Sequence, residues 1–304
     1  MKIVIISLVI ASLSCTYAQD LIPDERMTME GKKWGYKNRY TGEKVTKAIY
    51  DVAYEFKGNF AIVKKGDKLA YINSKGKEIT PFKYDKAEDF INGFAKVQVL
   101  DKLGFIDSTG KELTDIKFMR LNNFKEGFAT ASLDDLGRTG FIDSKGKMSS
   151  RFYFDNAGSY NEGMVWVELR GKVGFLNKMG DEIIKPNYDW GTDFVKGYAI
   201  VMKKNKYGCV DRMGKEFIPL NYNLIKRYGP DSAYIITLNK DLKYGIYGNN
   251  GKPLLPELFA KISDYQNYGG KLYAAVYRTV DEIFFYIDDK VKCVEFDGKV
   301  CPEE

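Results

Sequence analysis

The sequence predicts an all-β repeat protein built from four-stranded antiparallel meanders and β-propeller-like, with an open, curved β-solenoid as the alternative. Three observations carry this. A glycine closing a Phe-Ile-Asp run recurs at Gly42, Gly76, Gly110, Gly146, Gly180, Gly214 and Gly251, at spacings of 34 to 37 residues. A small residue opening that run recurs at Gly35, Ala70, Gly104, Gly140, Gly174, Gly208 and Gly245. A third mark, a glycine ahead of an alternating strand of the type Phe-Ala-x-Val, stands at Gly58, Gly93, Gly127, Gly163 and Gly197. Independent marks sharing one period identify a repeat, and the repeat governs every later reading.

One copy, Tyr84 to Thr114, shows how the unit divides. Tyr84 to Phe90 is an extended segment, and Asn92-Gly93 is a hairpin signal. Phe94-Ala95-Lys96-Val97-Gln98-Val99 alternates with period two, as a half-buried strand does. Leu103-Gly104-Phe105-Ile106 is the next strand, closed by Asp107-Ser108-Thr109-Gly110, with a turn former at each end. Lys111 to Thr114 runs back out. Four short strands leave no room for a helix. A single unit holds too few large apolar side chains to offset its backbone entropy, so neighbouring units must complete its core.

Taken in order, residues 1–18 read as a secretory signal peptide: Lys2, an apolar core from Ile3 to Ile10, and a small-residue end before Gln19. Cys15 offers a lipid-modified alternative, but Ser12-Leu13-Ser14 lacks the leucine such sites place three residues earlier. Cleavage after Ala18 is therefore expected, giving an exported chain with no transmembrane segment. Residues 19–30 read as a polar leader. Trp34-Gly35 opens a first, partial unit without the strands that would precede it. The full pattern opens at Tyr50-Asp51 and returns at Tyr84-Asp85, Phe118-Met119, Phe154-Asp155, Tyr188-Asp189, Tyr222-Asn223 and Phe259-Ala260. Gly229-Pro230-Asp231 replaces the tight turn, predicting a longer loop there. With no linker interrupting the series, one repeat domain over residues 31–304 is the economical division.

The succession x-Gly-Phe-Ile-Asp-x-x-Gly-Lys, Tyr-Asp, Phe-x-x-Gly and Ala-x-Val resembles the WG repeat, a bacterial β-repeat, over nearly the whole chain after residue 30. The namesake dipeptide survives in register only at Trp34-Gly35. The resemblance implies an interaction module and carries no catalytic motif to transfer.

The residues themselves point the same way. The chain has no histidine, which removes Ser-His-Asp and Cys-His catalysis and histidine-held zinc. Asp107, Asp143, Asp211 and Asp288 occupy equivalent places and would suit a calcium or glycosidase ring, but Asn38, Asn73 and Asn177 stand there in other copies. Asp or Asn followed three residues later by Gly is turn chemistry. Asp51, Asp85, Asp155 and Asp189 follow the opening aromatic and are expected to cap local backbone. Of 22 Tyr, 19 Phe and 3 Trp, most aromatics fall at repeat-core positions. Trp34 carries the resemblance, while Trp166 and Trp190 fall outside the shared pattern and are candidates for stacking a sugar or peptide. The net charge of +6 comes with lysine-rich turns, suited to solvent or to acidic glycans. No nucleic-acid motif, phosphate-binding loop, metal knuckle or cofactor motif is present.

Cys293 and Cys301 flank Phe296-Asp297-Gly298. A three-residue loop there would pair Glu295 with Lys299 and set the two cysteines opposite each other, predicting a disulfide in an oxidising compartment and leaving Cys209 a buried thiol. A two-residue Asp297-Gly298 turn would shift the register by one. The expected function is an exported, non-enzymatic module recognising a protein or glycan of the cell envelope. The alternatives are a propeller-type glycan hydrolase with paired carboxylates and a structural envelope component.

Overall fold

The computed structural model describes residues 20–134, 138–148 and 153–302. The expected signal peptide lies outside the described residues. Those that are described form an all-β chain of small antiparallel sheets, with a 3-10 turn at Pro230–Ser232. Contacts divide the chain into two compact units, Met1–Asn123 and Phe124–Glu304.

In the first unit the residues read as a polar leader are part of a sheet. Leu21–Thr28 pairs along its whole length with Gly31–Asn38, so Trp34 lies inside a complete hairpin opposite Glu25. Burial of Leu21 in the core with Tyr36, Tyr50 and Val63 accounts for the ordering of that segment.

The next two repeats of this unit are alike. A two-residue strand (Val52–Ala53, then Lys86–Ala87) pairs with the alternating strand (Phe60–Lys65, then Phe94–Val99), which pairs with the Phe-Ile-Asp type strand (Lys68–Asn73, then Lys102–Asp107). The fourth strand was expected to continue the sheet. Here it touches down only at isolated bridges, Ile72 to Glu78 and Leu69 to Tyr84, then Ile106 to Glu112 and Leu103 to Phe118. Between the bridges the carbonyls of Tyr36, Tyr71 and Phe105 still accept the N–H groups of Val45, Ile79 and Leu113, but a threonine hydroxyl takes the place of the returning strand's carbonyl. The N–H groups of Tyr36, Tyr71 and Phe105 donate to the hydroxyls of Thr46, Thr80 and Thr114 at 2.8, 2.9 and 3.0 Å.

In three repeats of the second unit the fourth strand is continuous, whereas the repeat of Phe128–Ser132 and Thr139–Asp143 keeps isolated bridges, Ile142 to Met148 and Thr139 to Phe154. Glu182–Tyr188, Glu216–Tyr222 and Pro253–Phe259 each complete a four-stranded sheet, with Ile184, Ile218 and Leu255 at the position of those threonines and a bulge on either side of the pair they make. Gly174 shows why the residue opening the Phe-Ile-Asp run is small. A Cβ there would lie 2.5 Å from the carbonyl oxygen of Ile184, because the fourth strand crosses directly over it. The departure expected at Gly229 is present: Leu224–Tyr228 and Tyr234–Leu238 are joined through the 3-10 turn.

Cores form between consecutive repeats. Tyr71 and Tyr84 pack with Ala95, Val97 and Ile106 of the following copy. In the second unit Phe175, Ile184 and Tyr188 pack with Phe194, Ala199 and Val201. Each repeat therefore buries its apolar face only when its neighbour is present.

The middle glycine needs one correction. Asn92-Gly93, Glu126-Gly127, Glu162-Gly163 and Lys196-Gly197 are two-residue turns with positive φ at both positions, the I′ geometry that matches strand twist. Gly58 is instead the first central residue of its turn, followed by Asn59, so it corresponds to Asn92 and not to Gly93.

Candidate functional site

The structure places most of the carboxylates in turns. Asp107, Asp143, Asp211 and Asp288 each accept two backbone N–H groups from residues two and four positions on. Asn73 and Asn177 accept the same pair with an amide oxygen. A neutral side chain does the same work, so the position asks for an acceptor and not for a charge. Among the described residues no group of three His, Cys, Asp or Glu side chains is arranged to hold a metal ion.

The aspartates after the opening aromatic also cap backbone, but fifteen residues on. Asp51, Asp85, Asp155 and Asp189 accept the N–H of Gly66, Leu100, Arg170 and Lys204 at the tip of the next hairpin. Lys33, Lys68 and Lys172 pair with Asp51, Asp85 and Asp189. The lysine bonds, followed by those N–H groups, hold these three carboxyls below the usual aspartate range.

Two glutamates play a role the sequence reading missed. Glu126 accepts the N–H groups of Glu162 and Gly163 at 2.7 and 2.9 Å, one on each oxygen. Glu162 does the same to Lys196 and Gly197, at 2.8 Å each. Lys178 pairs with Glu126 and Arg212 with Glu162. Burial works against both charges, but the backbone N–H groups and the cations outweigh it and hold both pKa values down. The available signal was a glutamate just before the middle glycine in two consecutive copies.

The three tryptophans separate. Trp34 is half-buried against the core of Tyr36, Tyr50 and Val63. Trp166 is half-buried and its indole covers Gly158, where a Cβ would stand 2.3 Å from Nε1. Both rings are engaged in packing. Trp190 is different: it is 44% exposed. It sits on the two-residue strand Trp190–Gly191, opposite Met202, and meets the Tyr207 ring edge-on at a centroid distance of 6.2 Å. Gly191 lies against Phe175 and Val173, so the strand is pinned to the preceding repeat. The equivalent positions Lys86, Asn156 and Lys261 are also exposed. This short strand is where the repeat varies its outward chemistry.

Cys293 and Cys301 form a disulfide with a Cα separation of 5.7 Å, and Cys209 is a buried free thiol that burial pushes up to about 12. The turn is not the expected three-residue loop. Phe296 and Lys299 exchange both backbone bonds around Asp297-Gly298, a two-residue turn. The cysteines still meet because that bridge is isolated. Cys293 pairs with Ile287 on another strand, and residues 300–302 belong to no ladder, so the turn register does not dictate where Cys301 lies. The tip residue Phe296 stacks on Tyr273 at 4.6 Å and touches Tyr268 and Tyr286. A surface cleft of about 400 Å³ lies alongside, lined by Lys271, Leu272, Tyr273, Asp288, Asp289 and Val294 among others. No helix among the described residues is long and apolar enough to cross a membrane.

Comparison with known proteins gives the repeat a family. The WG containing repeat matches residues 34–68, 70–102, 104–136, 140–172, 174–207 and 207–239. No curated protein matches. Among solved structures, BamB from Moraxella catarrhalis aligns at 12% identity over 84% of this chain and 95% of its own, with a TM-score of 0.33. A eukaryotic initiation factor aligns at 12% identity over 91% and 87%, with a TM-score of 0.39. Kluyveromyces lactis Hsv2 aligns at 11% identity over 72% and 86%, with a TM-score of 0.30.

Proposed function

The chain belongs to the WG containing repeat family, and from that premise we propose that it is an exported, non-enzymatic interaction module that binds a polypeptide or glycan of the cell envelope. The observation that carries this reading is the exposure of Trp190 on a pinned edge strand, while Trp34 and Trp166 are spent on packing. A large amphipathic ring held at low entropic cost is the side chain most suited to anchor a partner. The carboxylates a hydrolase would use are instead bonded to turn N–H groups and lysines.

A glycan array and an envelope-peptide array, probed with the chain from residue 19 onward and with its Trp190→Ala variant, test the proposal. Loss of at least about tenfold in affinity is expected for an anchor residue, equivalent to about 1.4 kcal/mol. Equal binding by the two proteins would remove Trp190 from the site, and turnover of any arrayed glycan would replace a binding role with a hydrolytic one.

A further inference from the structure

The two glutamate bridges of the second unit reveal a site that the first unit leaves open. At the junction between the turns of residues 126–127 and 162–163, Phe128 packs on Tyr160 with ring centroids 4.7 Å apart, and the Glu126 carboxylate spans to the two N–H groups of the next turn. The junction between the turns of residues 58–59 and 92–93 shares the ring pair and the receiving turn, and differs in that only Gly58 of its first turn has positive φ. Phe60 packs on Phe90 at 4.2 Å, and Asn92 and Gly93 have the φ values of Glu162 and Gly163. The residue in the place of Glu126 is Gly58, which has no side chain, and a Cβ added there would meet nothing within 4 Å. Asn92 and Gly93 are exposed, and among the described residues no group accepts their N–H groups. Ser108 stands where Lys178 and Arg212 accompany the filled copies, and Lys57 adjoins the gap in sequence.

We propose that the Asn92–Gly93 turn is a receptor for a carboxylate supplied from outside, and that its ligand is a glutamate side chain of a partner polypeptide. The chain fills the same receptor twice with its own glutamates, each oxygen taking one N–H, and such charge-assisted pairs are stronger than neutral ones. Adjacent N–H groups on a positive-φ turn form an anion-binding concavity. The site is separate from Trp190 and stands or falls without it.

The test is a titration of ¹⁵N-labelled protein with a tetraglutamate peptide, and in a second arm with an oligogalacturonate. The amide resonances of Asn92 and Gly93 should shift with the peptide. In the double variant Gly58→Glu/Asn59→Gly, which reproduces the Glu126-Gly127 pair, they should start at their filled positions and no longer respond. Ser108→Lys supplies the missing cation and should tighten the peptide roughly two- to fivefold. No shift with the peptide, or an undiminished shift in a folded double variant, would overturn the proposal. A response to the uronate alone would overturn the choice of a polypeptide ligand.

Discussion

The two units close the same repeat in different ways. In the first, Thr46, Thr80 and Thr114 accept the N–H of the residue after the small position, and the fourth segment makes isolated bridges and single backbone bonds in place of a continuous strand. In three repeats of the second, Ile184, Ile218 and Leu255 occupy that place in a seven-residue fourth strand that pairs, through bulges, with the strand before it. A threonine hydroxyl offers the backbone a partner that competes with the ladder. An aliphatic side chain offers none, so the backbone must find its acceptor in the strand, and the side chain contributes apolar burial instead. One position thus decides whether a repeat is held by a polar latch or by a packed strand.

The largest effect is expected where packing does the holding. Ile218 is 1% exposed, in a core with Tyr198, Ile200 and Cys209. Ile218→Ala should destabilise the second unit by about 2–5 kcal/mol through lost burial and the cavity left behind. Urea unfolding followed by amide exchange would locate the loss. A change confined to the first unit, or one below about 1 kcal/mol, would break the comparison.

The polar latch should give a smaller and chemically selective effect. Thr80→Val keeps the shape but leaves the N–H of the buried Tyr71 without its acceptor, at a cost of about 1–3 kcal/mol. Thr80→Ser keeps the hydroxyl and should recover most of that, measured on the same unfolding curves. A loss in Thr80→Ser with none in Thr80→Val would mean that the methyl group, not the latch, holds the first unit.

This difference was written in the sequence and yet not legible there. The period, the three punctuation marks and the alternating strands are direct consequences of turn φ values and side-chain alternation, which depend on local residues. Thr80 and Ile184 both suit a strand by propensity, and only the identity of the group they face tells the two closures apart. Leu21 to Thr28 failed for a similar reason: its charged residues mask a strand whose partner, Gly31–Asn38, supplies the burial. Of the candidate site, Trp190 was legible as an aromatic outside the repeat pattern. Its separation from Trp166 depended on Gly158, a contact eight residues away that no periodicity reports. The two-residue turn at Asp297-Gly298 shows the converse. The local geometry was decided by one residue of register, but the cysteines belong to segments outside that register.

The smallest effect expected is electrostatic, and it separates the units by the way their carboxylates are held. Glu162 in the second unit bonds two N–H groups and Arg212, whereas Asp85 in the first bonds one N–H and Lys68. Both have folded pKa values below their ordinary ones. A depressed carboxyl contributes stability fully above its unfolded pKa, about 4.3 for Glu and 3.9 for Asp, and loses it as pH falls through the lower folded value. The melting temperature should therefore be flat in this respect from pH 7 to about pH 5 and decline below about pH 4.5. Glu162→Gln removes the titrating group while keeping one oxygen for a turn N–H. It should cost less than about 1 kcal/mol at pH 7, since the pair is near the surface, and should make the acid decline shallower. Asp85→Asn should flatten the decline less, because it removes fewer bonds to the charged form. The measurement is the difference in melting temperature between pH 7 and pH 3 for the three proteins. If Glu162→Gln falls as steeply as the unmodified chain, the double N–H bridge is a bystander in the second unit. The comparison would then rest on Ile218 and Thr80 alone.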